Sequence, residues 1–71
     1  MAVSRRTALT IINNDDLIYT HAGPDDNGKY AGWITMPGGR PVLNTTHIFD
    51  TAELAKKGMT DLRNELIEQF G

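Results

Sequence analysis

The 71 residues suffice for one domain, with nine acidic against seven basic residues, a net charge of -2 and no cysteine. A chain of this length buries only about 60% of the surface exposed by its unfolded form, so its core is marginal. Without cysteine, neither disulfides nor thiolate metal sites can reinforce that core. The small charge excludes strong electrostatic steering, and it lacks the basic surplus typical of proteins that bind duplex nucleic acid.

The N-terminal sequence, "MAVSRRTALTII", has two arginines but only a brief apolar run, unlike a secretory signal peptide. No stretch of the sequence approaches the roughly 20 apolar residues that cross a bilayer as a helix. We therefore expect a cytoplasmic protein that does not associate with membranes.

The first third of the chain predicts an arm and one or two strands. We expect residues 1–6 to form a flexible N-terminal arm and residues 7–71 a single small domain. The β-branched segment "TALTII", Thr7–Ile12, is typical of a strand, and "LIYTH", Leu17–His21, continues in the same way. The turn-forming "NNDD" between them leaves two alternatives, a tight hairpin or one longer strand with a bulge.

Two further strands follow, separated by glycine-containing turns. Asn27-Gly28 suits a hairpin turn that needs positive φ, and "YAGWITM" then alternates, which places Tyr30 and Trp33 on opposite faces. "PGG" turns the chain again before "RPVLNTTHIF", in which Pro41 cannot donate a ladder hydrogen bond. Pro41 therefore favours the start of an edge strand.

The segment "FDTAEL" has the features of a helix start. Asp50 is a suitable N-cap and Glu53 follows at the third helical position, as in a capping box. Phe49 and Leu54 are spaced for a hydrophobic staple across that cap. We therefore predict that a helix begins here and runs from about Thr51 to about Gln69.

The predicted helix carries one apolar stripe and one charged side. Gly58 interrupts it at a cost of up to ~1 kcal/mol relative to alanine, which a close crossing over the sheet would explain. The apolar residues recur at steps of three or four: Ala55, Met59, Leu62, Leu66 and Phe70. The expected fold is α+β, an antiparallel meander sheet of three to four strands with one long C-terminal helix packed on one face.

Catalytic and metal-binding motifs are not recognisable in this sequence. His21 and His47 lie near carboxylates, but their spacing matches none of the familiar metal motifs. The "PGGR" segment, Pro37–Arg40, offers amides and a guanidinium to a phosphate, yet it lacks the following helix of phosphate loops, so a hairpin turn is favoured. We expect no enzymatic activity, no metal and no cofactor.

The better-supported function is protein binding by the sheet face that one helix cannot cover, by an edge strand or by the helix surface. Trp, Tyr and Arg are enriched at interaction hot spots, and the candidate residues are Trp33, Tyr30, Arg40 and His47. For Trp33 the alternative is a place in the core beneath the helix. The expected partner is another protein, with homodimerisation as an open alternative. The sequence thus predicts a small standalone accessory, adaptor or inhibitor protein, of the kind found among phage-encoded proteins.

The alternative function is nucleic-acid binding by a sheet-plus-helix domain. Strands, an aromatic residue and then "FDTAELA" opening a helix resemble the small DNA-binding domains at the N-termini of phage-type integrases, with Trp33, Phe49, Thr51 and Ala55 as the matching residues. That resemblance implies DNA contacts from basic and polar strand side chains. The basic candidates here are Arg5, Arg6, Lys29 and Arg40.

Overall fold

A computed structural model describes residues 3–71 of the chain. Its elements are, in chain order, α1 Arg5–Ile12, β1 Ile18–Ala22, β2 Ala31–Thr35, β3 Pro41–Asn44 and α2 Ala52–Phe70. The three strands form one antiparallel meander in the order β1-β2-β3. The predicted α+β class is confirmed, with the C-terminal helix packed on the sheet.

The prediction of a strand at Thr7–Ile12 is wrong, because this segment belongs to α1. Ser4 caps the helix, and its hydroxyl accepts a hydrogen bond from the Thr7 backbone N–H at 3.2 Å. Ala8 and Ile11 are fully buried, one helical turn apart. Packing of this apolar stripe therefore overrides the strand preference of the β-branched residues.

The expected arm overlaps the start of the same helix. Arg5 and Arg6 are helical, and Ser4 is the N-cap, so residues 4–6 form the start of α1. Met1 and Ala2, the first residues of the expected arm, lie outside the part of the chain that the structure describes.

Both predicted hairpin turns are present and set the strand register. At the first turn, Gly28 has a φ of 75° and donates to the Asp25 carbonyl oxygen at 3.0 Å. At the second, Gly39 has a φ of 91° and donates to the Met36 carbonyl oxygen at 2.8 Å. The third strand begins at Pro41 on the sheet edge, as its missing N–H favours.

Two helices, rather than the one expected, share the covered face of the sheet. α2 contacts β1 and β2, whereas α1 contacts α2 and β3. Their buried side chains meet the central strand in one apolar cluster of Ala8, Ile11, Leu17, Ile34, Met59 and Leu66. Within residues 3–71, both helices lie on the same side of the sheet. In the same range, neither helix is long and apolar enough to span a membrane.

Two glycines allow the close packing of α2. A Cβ built on Gly32 of β2 would lie 2.5 Å from the Met59 sulfur, so the missing side chain makes room for α2 over the sheet. A Cβ on Gly58 would lie 2.5 Å from the Phe49 ring. Gly58 therefore accommodates an aromatic ring from the preceding loop, and the close crossing over the sheet that was expected at Gly58 occurs at Gly32 instead.

The cap of α2 differs by one residue from the prediction. Thr51 is the N-cap, and its hydroxyl accepts from the Leu54 N–H at 3.1 Å. The carboxylate of Asp50 instead pairs with the ammonium group of Lys29. Leu54 consequently lies at the third helical position and is largely exposed, so the predicted capping box and staple are wrong.

A single arginine of α2 holds the end of α1. The Arg63 guanidinium donates to the carbonyl oxygens of Ile11, Ile12 and Asn14 at 3.3 to 3.4 Å. It also pairs with Asp15 at 3.1 Å. Carbonyl groups at a helix C-terminus lack helical partners and carry partial negative charge, so a guanidinium there satisfies them and links the two helices.

Candidate protein-binding surface

The side of the sheet opposite the two helices is the candidate surface. Gly32 and Ile34 point toward the helices, so the alternate residues of β2 point away from them. Cross-strand pairing extends that side to β1 and β3, because directly paired residues share a face. We call this surface the open face, and it consists of Ile18, Thr20, Ala22, Trp33, Thr35 and Asn44; Ala31, which is paired with Ala22 on this side, is buried.

Trp33 occupies the middle of the open face. Thr20 of β1 is paired with it on one side and Asn44 of β3 on the other. The residue is half-buried, and its indole nitrogen is inaccessible and has no hydrogen-bond partner among residues 3–71. The exposed part of the ring is therefore carbon, which contributes an apolar patch. Ile18, 45% exposed on the neighbouring strand, adds to the apolar area.

The open face carries no charged side chain among the residues that define it. The outward side of α2 differs sharply, since its exposed residues include Lys56, Lys57, Asp61, Glu65 and Glu68. Depletion of charge, together with a central aromatic residue, distinguishes the core of a protein interface from ordinary protein surface. The open face is therefore uncharged, whereas the outward side of α2 carries many charged side chains.

The other protein-binding candidates do not join Trp33 in one cluster. Tyr30 precedes β2, pairs with Phe49 in an isolated bridge, and meets the His21 ring edge-on at a centroid distance of 5.7 Å. Tyr30 and Trp33 lie on opposite faces, as their spacing predicted. His47 is exposed in the loop after β3.

The basic residues of the nucleic-acid alternative are divided between two ends of β2. Arg40 lies in the β2–β3 turn and lines a groove together with Arg6 of α1. Lys29 lies before β2, where it pairs with Asp50. Arg5 is an exposed residue of α1 that does not line the groove. Only Arg6 and Arg40 of the four are therefore brought together.

The carboxylates near the histidines have structural roles. Asp25 accepts hydrogen bonds from the backbone N–H groups of Lys29 at 2.9 Å and Asn27 at 3.0 Å. The Lys29 N–H is the largest cause that lowers the pKa of Asp25, and the charge of His47 acts in the same direction. Across residues 3–71, no three His, Asp or Glu side chains converge as metal ligands would.

Trp33 is a candidate from the sequence alone, whereas Ile18 and the groove between α1 and β3 become candidates only from the structure. The sequence alternation places Ile18 on the face opposite to Leu17 and Tyr19. Which of these two faces the helices cover is known only from the structure. The groove could not be expected, because the sequence predicts a strand at Thr7–Ile12 and the groove is formed by the helix found there. Comparisons with protein-family models, curated proteins and solved structures found no match.

Proposed function

We propose that this chain is a non-enzymatic protein-binding module, an accessory, adaptor or inhibitor protein that docks a protein partner on its open face. The observation that carries the proposal is an uncharged strand surface with a partly exposed tryptophan at its centre. Burying such a surface costs little desolvation and removes apolar area from water. The complementary partner surface is apolar and uncharged.

The edges of the sheet support the same function. β1 and β3 are the outer strands, so each has one row of backbone groups without a strand partner in the described chain. Exposed edges accept an added strand from a partner, and main-chain hydrogen bonds then supplement the side-chain contacts. A partner that reaches from the open face onto the β1 edge would use both kinds of contact.

Nucleic-acid binding by the sheet has less support. The residues of the open face include no lysine or arginine, and Lys29 is already paired with an acid. Because phosphate contacts supply most of the nonspecific affinity for nucleic acids, an uncharged face offers little to a polynucleotide. The open face is better suited to an apolar protein surface.

Site-specific photo-crosslinking in cells tests the proposal. A benzophenone amino acid replaces Ile18 or Thr35 on the open face, and Glu65 or Glu68 on the outward side of α2 provides matched exposed controls. We expect protein adducts from the first pair and far weaker ones from the second. An adduct of twice the chain mass would identify a second copy as the partner, and a different mass another protein.

The same crosslinking positions also define the results that would overturn the proposal. Absence of protein adducts from both open-face positions, or equal adducts from the α2 controls, would overturn the proposal. A second variant, Trp33→Ser, tests whether the partner recognises the tryptophan side chain. It should reduce the adducts formed at Ile18 without unfolding the two helices. Circular dichroism of each variant establishes that the fold is retained.

A further inference from the structure

A groove on the helix-covered side of the molecule has a different chemistry from the open face. It lies between α1 and the start of β3, has a volume of about 280 Å³, and is open to solvent on one side. Its walls combine two arginines, two threonines and an apolar part: Arg6, Arg40, Thr7, Thr10, Met36, Pro41 and Val42.

In the described part of the chain, the two arginines of this groove have no acidic partner. Three other basic residues of the described chain form ion pairs, Lys29 with Asp50, Lys57 with Asp61 and Arg63 with Asp15. Neither Arg6 nor Arg40 forms one within residues 3–71, and no carboxylate lines the groove. Two like charges around one groove repel each other, so an anion between them relieves that repulsion.

The hydroxyl groups of the groove differ in what they can offer. Thr10 uses its hydroxyl hydrogen within α1, donating to the Arg6 carbonyl oxygen at 3.0 Å. Thr7 accepts from the Ser4 hydroxyl at 3.0 Å, which leaves its own hydroxyl hydrogen for a ligand. The groove is thus lined by two arginines and by one threonine whose hydroxyl hydrogen is not used within α1.

We propose that the groove binds the phosphomonoester group of a small organic molecule. A phosphomonoester carries about -1.5 to -2 charges at pH 7, which matches two guanidinium groups better than a carboxylate does. Arginine also presents its donors in a planar fork that suits phosphate oxygens. The side chains of Met36, Pro41 and Val42 contact the organic part of the ligand.

Titration of the whole chain with phenyl phosphate, followed by amide NMR, tests this site. We expect saturable shifts at Arg6, Thr7 and Arg40, and about tenfold weaker binding of benzoate because it carries one charge. Either Arg6→Gln or Arg40→Gln should weaken phenyl phosphate binding by about tenfold or more, since a charge-assisted hydrogen bond is lost. The matched control, Arg5→Gln on the same helix, should change it less than about threefold.

Several results would overturn the proposal. Shifts that do not saturate, or an Arg5→Gln loss as large as that of Arg6→Gln, would reduce the effect to general attraction by basic residues. Much tighter, length-dependent binding of oligothymidylates would instead establish a polynucleotide as the ligand. The groove shares no lining residue with the open face, so loss of phenyl phosphate binding would leave the proposed protein partner untouched.

Discussion

Thr45 is a buried polar residue that directly follows β3 and continues its hydrogen bonding to β2. Its hydroxyl accepts from the Gly32 N–H at 2.8 Å and donates to the Thr46 carbonyl oxygen at 2.7 Å. Its own N–H donates to the Gly32 carbonyl oxygen at 2.8 Å. One side chain therefore satisfies a backbone group beneath α2 that no strand partner reaches.

Replacement of Thr45 by valine should destabilise the protein by about 1–3 kcal/mol, because it leaves the buried Gly32 N–H without an acceptor. Thr45→Ser keeps the hydroxyl and loses only a methyl group, so its cost should be nearer ~1 kcal/mol. Urea denaturation of both variants measures the difference. A serine variant as unstable as the valine variant would show that the methyl group, not the hydrogen bond, matters.

Asp25 makes the first hairpin sensitive to acid. Because its pKa is lowered in the folded state, chiefly by the Lys29 N–H, the folded form binds a proton less readily than the unfolded chain. The resulting stability is fully present above the ordinary pKa of 3.8 and is lost as pH falls through the folded value.

The Asp25→Asn variant should therefore be less stable than the native chain at neutral pH, and the difference should shrink as pH falls below about 4. Thermal unfolding at a series of pH values measures it. Asp26→Asn is the matched control, because Asp26 makes neither of the hydrogen bonds that Asp25 accepts. A constant difference down to the lowest pH would contradict the role given to the Asp25 carboxylate.

At the scale of the elements, Arg63 adds hydrogen bonds to the apolar contacts that dock α1. An isolated helix of eight residues is unstable in water, so α1 depends on its tertiary contacts. Arg63→Met keeps the apolar stem but removes the donors, and we expect a loss of about 1–3 kcal/mol. Lys57→Met breaks an exposed pair and should cost less than about 1 kcal/mol.

Hydrogen exchange locates the effect of Arg63. The amides of α1 should exchange faster in Arg63→Met than in the native chain, while those of β2 change only with global stability. Uniform acceleration across all elements would mean that Arg63 supports the whole fold and does not specifically anchor α1.

The elements also differ in how well the sequence predicted them. Two hairpin turns, the strand start at Pro41 and the long C-terminal helix followed from local signals, since turn chemistry and helical periodicity are encoded by neighbouring residues. The helical state of Thr7–Ile12 depends on burial of Ala8 and Ile11 against α2 and the sheet, and such contacts are distant in sequence. The one-residue shift of the α2 cap accompanies another long-range contact, since Asp50 pairs with Lys29 of a different loop.

The contrast between local signals and long-range contacts also applies to the candidate sites. Opposite placement of Tyr30 and Trp33 followed from strand alternation, which is local. The groove with Arg6 and Arg40 required two segments separated by the whole of β1 and β2 to meet, and no pattern in the sequence marks that meeting. Long-range packing therefore determined what sequence reasoning missed.

For the molecule as a whole, placing α1 and α2 on one side is what leaves the other side of the sheet uncovered. Within residues 3–71, both helices pack on one side of the sheet, so the structure has two layers rather than three. The charged side chains of α2 favour solvent, and the uncharged strand face favours a partner. The protein-binding proposal rests on that asymmetry.

Acrylamide quenching of Trp33 fluorescence tests this asymmetry most directly, because Trp33 is the only tryptophan in the chain. In the isolated protein, diluted until it is monomeric, we predict quenching intermediate between that of free indole and that of a core tryptophan. Unfolding in denaturant gives the fully exposed reference in the same sample. Complete shielding of Trp33 in the monomer would contradict the account, because the face proposed for docking would already be covered.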